Sequence, residues 1–136
     1  MKPILVDTGA WFALVDRNDP DHQAVADAVR EHNGRLLTTN FILDETLTLT
    51  RVRLGWNVAM RLGTVLRTGK LTRLVRVSTR DEEEAWTIFS AYSGKRFSFT
   101  DCTSFALCKR MKLERCLAID RYFRSYSLQC IPRVEG

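Results

Sequence analysis

The chain has 136 residues, 45% of them hydrophobic and 27% charged, which suits one soluble domain with its own core and excludes a disordered or low-complexity tract. Lysine and arginine outnumber aspartate and glutamate by 21 to 16, a net charge of +5 that permits a polyanionic partner such as nucleic acid without requiring one. No apolar run approaches the roughly 18 residues of a membrane span. Met1-Lys2-Pro3 leads straight into an apolar run, so no signal peptide is expected and the chain reads as cytoplasmic.

Ile4-Leu5-Val6 is predicted as a buried strand, left sharply at Asp7-Thr8-Gly9. A short helix over 10–15 follows. Asp19 or Asp21 then caps a helix that carries Ala24, Val25, Ala28 and Val29, ended by Asn33-Gly34. Leu36-Leu37 is a brief strand, and Thr38-Thr39-Asn40 leads into a helix over 41–54, closed by Gly55. Trp56, Met60, Val65 and Leu66 mark a further helix, and Leu74–Val77 a strand. Ser78 and Thr79 are alternative caps for an amphipathic helix with Ala85, Trp86, Ile88, Phe89 and Tyr92 on its inner side. After a polar loop at Ser93–Arg96 come a helix from Asp101 to Met111, with Thr100 as its cap, and a strand at Cys116–Ile119. A helical turn at Tyr122–Tyr126 and a last strand at Leu128–Ile131 complete the chain. Alternation of strands and helices predicts an α/β fold with a central parallel sheet covered on both faces, built as a single domain over residues 1–136.

Cys102, Cys108, Cys116 and Cys130 contain no CxxC pair, and His22 and His32 have no cysteine near them, so a zinc site is not expected. Buried free thiols are the simpler reading. Four acids stand out instead. Asp7 and Asp120 each close an apolar strand, and Asp101 opens a helix. Glu45 lies within a helix, with Phe41, Leu49 and Val52 inside about 40° of it at 100° per residue. Each has an ordinary explanation: a turn residue for Asp7, a first-turn acid for Asp101, a cap or ion pair for Asp120. Glu45 on an apolar face is the hardest to explain that way, because glutamate is rarely buried unpaired. A common cleft at the carboxyl edge of the sheet accounts for all four.

Carboxylates gathered in one cleft repel, and a hard divalent cation with oxygen ligands relieves the repulsion. Such a cation also activates water and shields charge on a scissile phosphate. A receiver domain would want an acidic pair after the first strand, and a haloacid-dehalogenase-like phosphatase a second aspartate two residues beyond Asp7. Thr8 and Gly9 fit neither.

Four segments, Ile4-Leu5-Val6-Asp7-Thr8, Ile42-Leu43-Asp44-Glu45, Ser98-Phe99-Thr100-Asp101-Cys102 and Leu117-Ala118-Ile119-Asp120-Arg121-Tyr122-Phe123, together resemble the motifs of PIN-domain proteins, more closely the VapC-type toxin ribonucleases. The resemblance spans essentially the whole chain. It implies a three-layer α/β/α, Rossmann-like PIN fold and Mg²⁺- or Mn²⁺-dependent endonucleolytic cleavage of RNA, with Asp7, Glu45, Asp101 and Asp120 as the metal-binding and catalytic acids. Family members vary at the fourth acid, and Ala118 offers no additional ligand there. Thr8 and Thr100 match hydroxyl residues that flank the acids and orient them or contact phosphate. Asp44 lies about 100° from Glu45 around the helix and is left out of the site.

Lys95, Arg96, Arg121 and Arg124 are candidates for substrate phosphate, set against the plain reading of solvated loop cations. A second apolar stripe on the 41–54 helix, Leu43, Leu47 and Leu54, suits packing on the next helix, or else a homodimer or antitoxin contact. The resemblance implies both partners, the antitoxin as a separate chain. A housekeeping RNA-processing nuclease and a catalytically silent PIN scaffold are the alternatives.

Overall fold

The computed structural model describes residues 2–120, 123, 126 and 128–132. Its elements in chain order are β1 (Ile4–Val6), α1 (Thr8–Val15), α2 (His22–Glu31), β2 (Leu36–Thr39), α3 (Asn40–Leu54), α4 (Trp56–Arg67), β3 (Arg73–Val75), α5 (Thr79–Ala91), α6 (Phe99–Met111), β4 (Arg115–Leu117) and β5 (Gln129–Ile131). The strands form one sheet in the order β3-β2-β1-β4-β5, with every neighbouring pair parallel. β1 is central and fully buried, which is why Ile4-Leu5-Val6 reads as a continuous apolar run. The chain adds β2 and β3 on one side of β1, then returns to add β4 and β5 on the other. Right-handed crossovers therefore put α5 and α6 on the face opposite α1–α4. The packing agrees, since α1, α2, α3 and α4 contact one another and α5 packs chiefly on α6.

Two glycines set close approaches. A Cβ on Gly63 of α4 would stand 2.9 Å from Leu47 Cδ2, so the Leu47 stripe of α3 packs against α4 as core. A Cβ on Gly9, in the first turn of α1, would meet Ile119 at 3.3 Å, so the exits from β1 and β4 lie against each other.

Three details depart from the sequence reading. α5 turns Asp81, Ala85 and Ile88 inward and leaves Trp86, Phe89 and Tyr92 exposed. Its cap is Ser78, whose Oγ accepts the Asp81 N–H while the Asp81 carboxylate accepts the Ser78 N–H. α6 is capped by Ser98 in the same arrangement, and Thr100 lies inside the first turn. In α2, Ala24 is exposed and only Val25, Ala28 and Val29 face the core. Of the turn expected at 122–126, Tyr122, Arg124 and Ser125 lie outside the described residues. Phe123 is buried, and its N–H donates to the Asp120 carbonyl at 3.2 Å.

Asp81 also binds α6. Both of its oxygens accept from the Arg110 guanidinium at 2.8 Å, and this bidentate pairing holds its carboxyl below the usual aspartate range. The carboxylate is 3% exposed, so loss of its partner leaves a buried charge. Arg110→Ala should cost about 3 kcal/mol in urea unfolding at pH 7, the low end for a buried pair because the arginine is partly solvated. Lys109→Ala, which breaks the exposed pair with Glu84, should cost less than about 1 kcal/mol.

Candidate metal centre

The direction of strand addition reverses at β1, so the C-terminal ends of β1 and β4 flank the topological switch point, where open α/β sheets bind ligands. Asp7 follows β1 directly, and its N–H donates to Leu117 O at the end of β4 at 3.0 Å. Asp120 is three residues beyond β4, after Ala118 and Ile119. The carbonyl of Asp7 starts α1 by accepting from Ala10 and Trp11, whereas its side chain caps nothing. The carboxylate is 3% exposed, and Oδ1 is buried without a hydrogen-bond partner.

α6 delivers Asp101 at its third position. Ser98 donates its N–H to Asp101 Oδ2 at 3.0 Å and accepts the Asp101 N–H on Oγ at 3.0 Å, so the cap that starts the helix also fixes the rotamer of the acid. α3 delivers Glu45. Phe41, one turn before Glu45, meets Phe99, two residues before Asp101, edge to face at 6.2 Å. This contact pins the starts of α3 and α6 together and brings their acids to one place. The innermost face of α3 is Ile42, Thr46 and Thr50, while Glu45 is half-buried beside it and Val52 is 79% exposed. Glu45 thus lies at the rim of the cleft, not along the apolar stripe suggested by Phe41, Leu49 and Val52.

The four acids share one electrostatic environment. Burial pushes the Asp7 carboxyl well above the ordinary aspartate value, and the charges of Asp101, Glu45 and Asp120 push it further. The Thr8 backbone N–H acts in the opposite sense. Asp101 is pushed up to about 6, first by burial and then, against its bonds to Ser98, by Glu45 and Asp120. Asp7 and Asp101 therefore each feel the charges of Glu45 and Asp120. Thr8 is buried with an unpartnered Oγ, and so are Thr46, next to Glu45, and Ser104, one turn after Asp101. Thr100 is half-buried, and its carbonyl accepts from Thr103 Oγ1. Lys95 and Arg96 are exposed on the loop leading to Ser98, and Arg121 lies outside the described residues. Ser98 was missed, although Ser-x-x-Asp before an apolar run signals a capping box.

The donor set suits a hard cation: carboxylate oxygens only, one of them buried and unpartnered. Among the described residues, no three His, Cys, Asp or Glu side chains stand close enough to hold an ion as they are arranged. Holding a cation with three or more of these carboxylates would require them to close on it, whereas one or two with bound waters would not.

A parallel sheet with acids gathered over its switch point defines the class, an α/β protein of Rossmann-like topology with a carboxylate cleft. More particularly, the chain belongs to the PIN-domain family, whose model matches residues 4–127. It is similar to the 23S rRNA-specific endonuclease VapC20 of Mycobacterium tuberculosis, with 30% identity over 120 residues, 88% of this chain and 91% of that one. It also resembles a VapC ribonuclease of Archaeoglobus fulgidus, with 32% identity over 134 residues, 95% of this chain and 82% of that protein. The crystal structure of the M. tuberculosis VapC20, a sarcin–ricin loop cleaving toxin, superposes with a TM-score of 0.87 at 28% identity over 92% of this chain and 95% of that one.

The raised values carry a sign. A carboxyl whose folded-state pKa exceeds the unfolded value near 3.8 favours folding below that value, and the contribution is lost as pH rises through the folded pKa. For Asp101 the window runs from about pH 4 to about 6, and Asp7 acts in the same direction. In EDTA, the melting temperature of the wild type should fall relative to Asp7→Asn as pH is raised from 4.5 to 8, leaving the variant more stable by several degrees. Millimolar Mg²⁺ or Mn²⁺ should restore the wild type and leave the variant unchanged. Parallel melting curves for the two proteins across this range would contradict the shared-charge geometry.

Proposed function

We propose that the chain is a Mg²⁺- or Mn²⁺-dependent endoribonuclease acting as the toxin of a toxin–antitoxin pair. The observation that carries this is the buried Asp7 carboxylate, whose Oδ1 lacks any partner and which feels three further acids at the switch point. The relatives named as VapC ribonucleases support RNA as the substrate, and VapC20, named as a toxin, supports that role and a separate antitoxin chain. We assign residues 1–136 to a single PIN domain that works as a homodimer in the cytoplasm. No helix among the described residues is long and apolar enough to cross a membrane.

Asp7, Glu45, Asp101 and Asp120 would hold the cation. When bound, it supplies charge neutralisation at the scissile phosphate and eases deprotonation of an attacking water. Asp7 is fixed by burial, and Asp101 by its bonds to Ser98. Glu45 and Asp120, both half-buried, would accept the proton of the water. Histidine takes no part: His22 is bonded to Ala13 O and His32 to Arg35. Thr8 and Thr100 help to hold the acids and the phosphate, and Lys95, Arg96 and Arg121 contact the RNA backbone near the cleft.

With Mg²⁺ or Mn²⁺ the wild type should cleave RNA. Asp7→Asn and Glu45→Gln should each lower the rate by at least about a hundredfold, and EDTA should abolish it. Cleavage that survives EDTA, or survives both substitutions unchanged, would refute the assignment. Expression of the wild type, but not of Asp7→Asn, should arrest growth.

A further inference from the structure

The positive charge of the chain is not spread evenly. Residues 46–80 contain Arg51, Arg53, Arg61, Arg67, Lys70, Arg73, Arg76 and Arg80, and not one aspartate or glutamate. All sixteen acids lie outside this stretch, together with the other thirteen cations, so the rest of the chain is net negative. All eight of these side chains are exposed. None forms an ion pair among the described residues, whereas Lys2, Arg30, Lys109 and Arg110 elsewhere are each matched to an acid. Seven of the eight lie on or beside α3, α4 and β3, which adjoin because α3 packs on α4, α4 on β3, and β3 is the edge strand of the sheet, while Arg80 opens α5.

From this separation we infer that the side built by residues 46–80 is the surface that captures RNA, apart from the cleft. The inference rests on the nuclease reading for its ligand, and the physical need is general. A cleft of four carboxylates repels a polyanion, so the attraction must come from another surface. The cationic side shares α3 with Glu45, whose nearest cation further along the helix, Arg51, follows six residues on. Trp56, 55% exposed at the start of α4, offers a ring for a base to stack on. Val52, Met60 and Val65 are also exposed there and would suit an acidic amphipathic protein segment. RNA is favoured because the charges spread over α3, α4, β3, the first turn of α5 and their loops rather than gathering in one pocket; of the eight, only Arg80 lines the cavity of about 660 Å³ between α5 and α6.

The test is fluorescence anisotropy with the intact protein in EDTA, using a labelled 20-nucleotide single-stranded RNA of mixed sequence and, separately, labelled poly-glutamate of equal charge. Arg61→Gln/Arg67→Gln/Arg76→Gln should weaken RNA binding at least tenfold at low salt and reduce the slope of log affinity against log salt by about 2. Lys2→Gln/Arg30→Gln/Lys109→Gln, which removes the same charge elsewhere, should change affinity less than about threefold. Trp56→Ala should weaken RNA binding at least about fivefold and leave poly-glutamate binding unchanged. Equal losses in the two triple variants, or none in the first, would overturn the inference. Tighter binding of poly-glutamate than of RNA, lost in the first triple variant, would assign the surface to an acidic protein instead. Metal-dependent RNA cleavage by a protein whose RNA affinity ignores the first triple variant would sink this inference and leave the nuclease reading standing. RNA captured by this side without any cleavage would do the reverse.

Discussion

Four carboxylates repel one another in one poorly solvated cleft, and the arrangement around the switch point depends on that repulsion. Burial and mutual charge raise Asp7 and Asp101 together, so the cleft is costly for the fold as long as nothing positive enters it. A protein tolerates such a cost where the strain serves a ligand. The rest of the structure is organised to hold the acids against it. β1 and the exit from β4 bring two of them to the same edge of the sheet, the Ser98 capping box locks a third, and the Phe41–Phe99 contact holds the start of α3, which carries the fourth, against α6.

The same local devices serve stability and site at once. Two Ser-x-x-Asp caps recur, at Ser78–Asp81 and Ser98–Asp101. In the first, the spare capacity of the aspartate goes to Arg110, which neutralises it and ties α5 to α6. In the second no cation pairs with the aspartate among the described residues, and it feels the charges of other acids. The direction of the shift follows: Asp81 is held down and Asp101 is pushed up, although both sit at the same position of the same motif. One cap has become a structural clasp, and the other fixes an acid of the cleft.

Much of this was legible in the sequence, for identifiable reasons. Short apolar runs leading to Asp7 and Asp120 read as buried parallel strands, and that reading places both acids at one edge of the sheet. Helix faces were harder. In α5 side-chain size groups Trp86, Phe89 and Tyr92 with Ala85 and Ile88 on one inner side, but only Ala85 and Ile88 face inward, beside Asp81, and the aromatic residues are exposed. In α3 the inward stripe is Ile42, Thr46 and Thr50, so hydrophobicity pointed past it towards Val52, which is in water. The polar residue at the centre of a face is invisible to periodicity when its neighbours are threonines. Ser98 was overlooked for a different reason, since Thr100 stands closer to the acid and offers the same hydroxyl.

The distribution of charge completes the account. The cleft is acidic and the charged residues of the stretch 46–80 are all basic, so under the proposed function capture of a polyanion and the chemistry performed on it would fall to different surfaces joined through α3. The central claim, however, concerns the cleft. The measurement that reaches it most directly is Mn²⁺ titration of the protein at pH 7.5, followed by electron paramagnetic resonance of the free ion. The account predicts saturable binding of one or two ions per chain to the wild type, lost in Asp7→Asn/Asp101→Asn. Wild-type protein that binds no Mn²⁺, or a double variant that binds it undiminished, would contradict it.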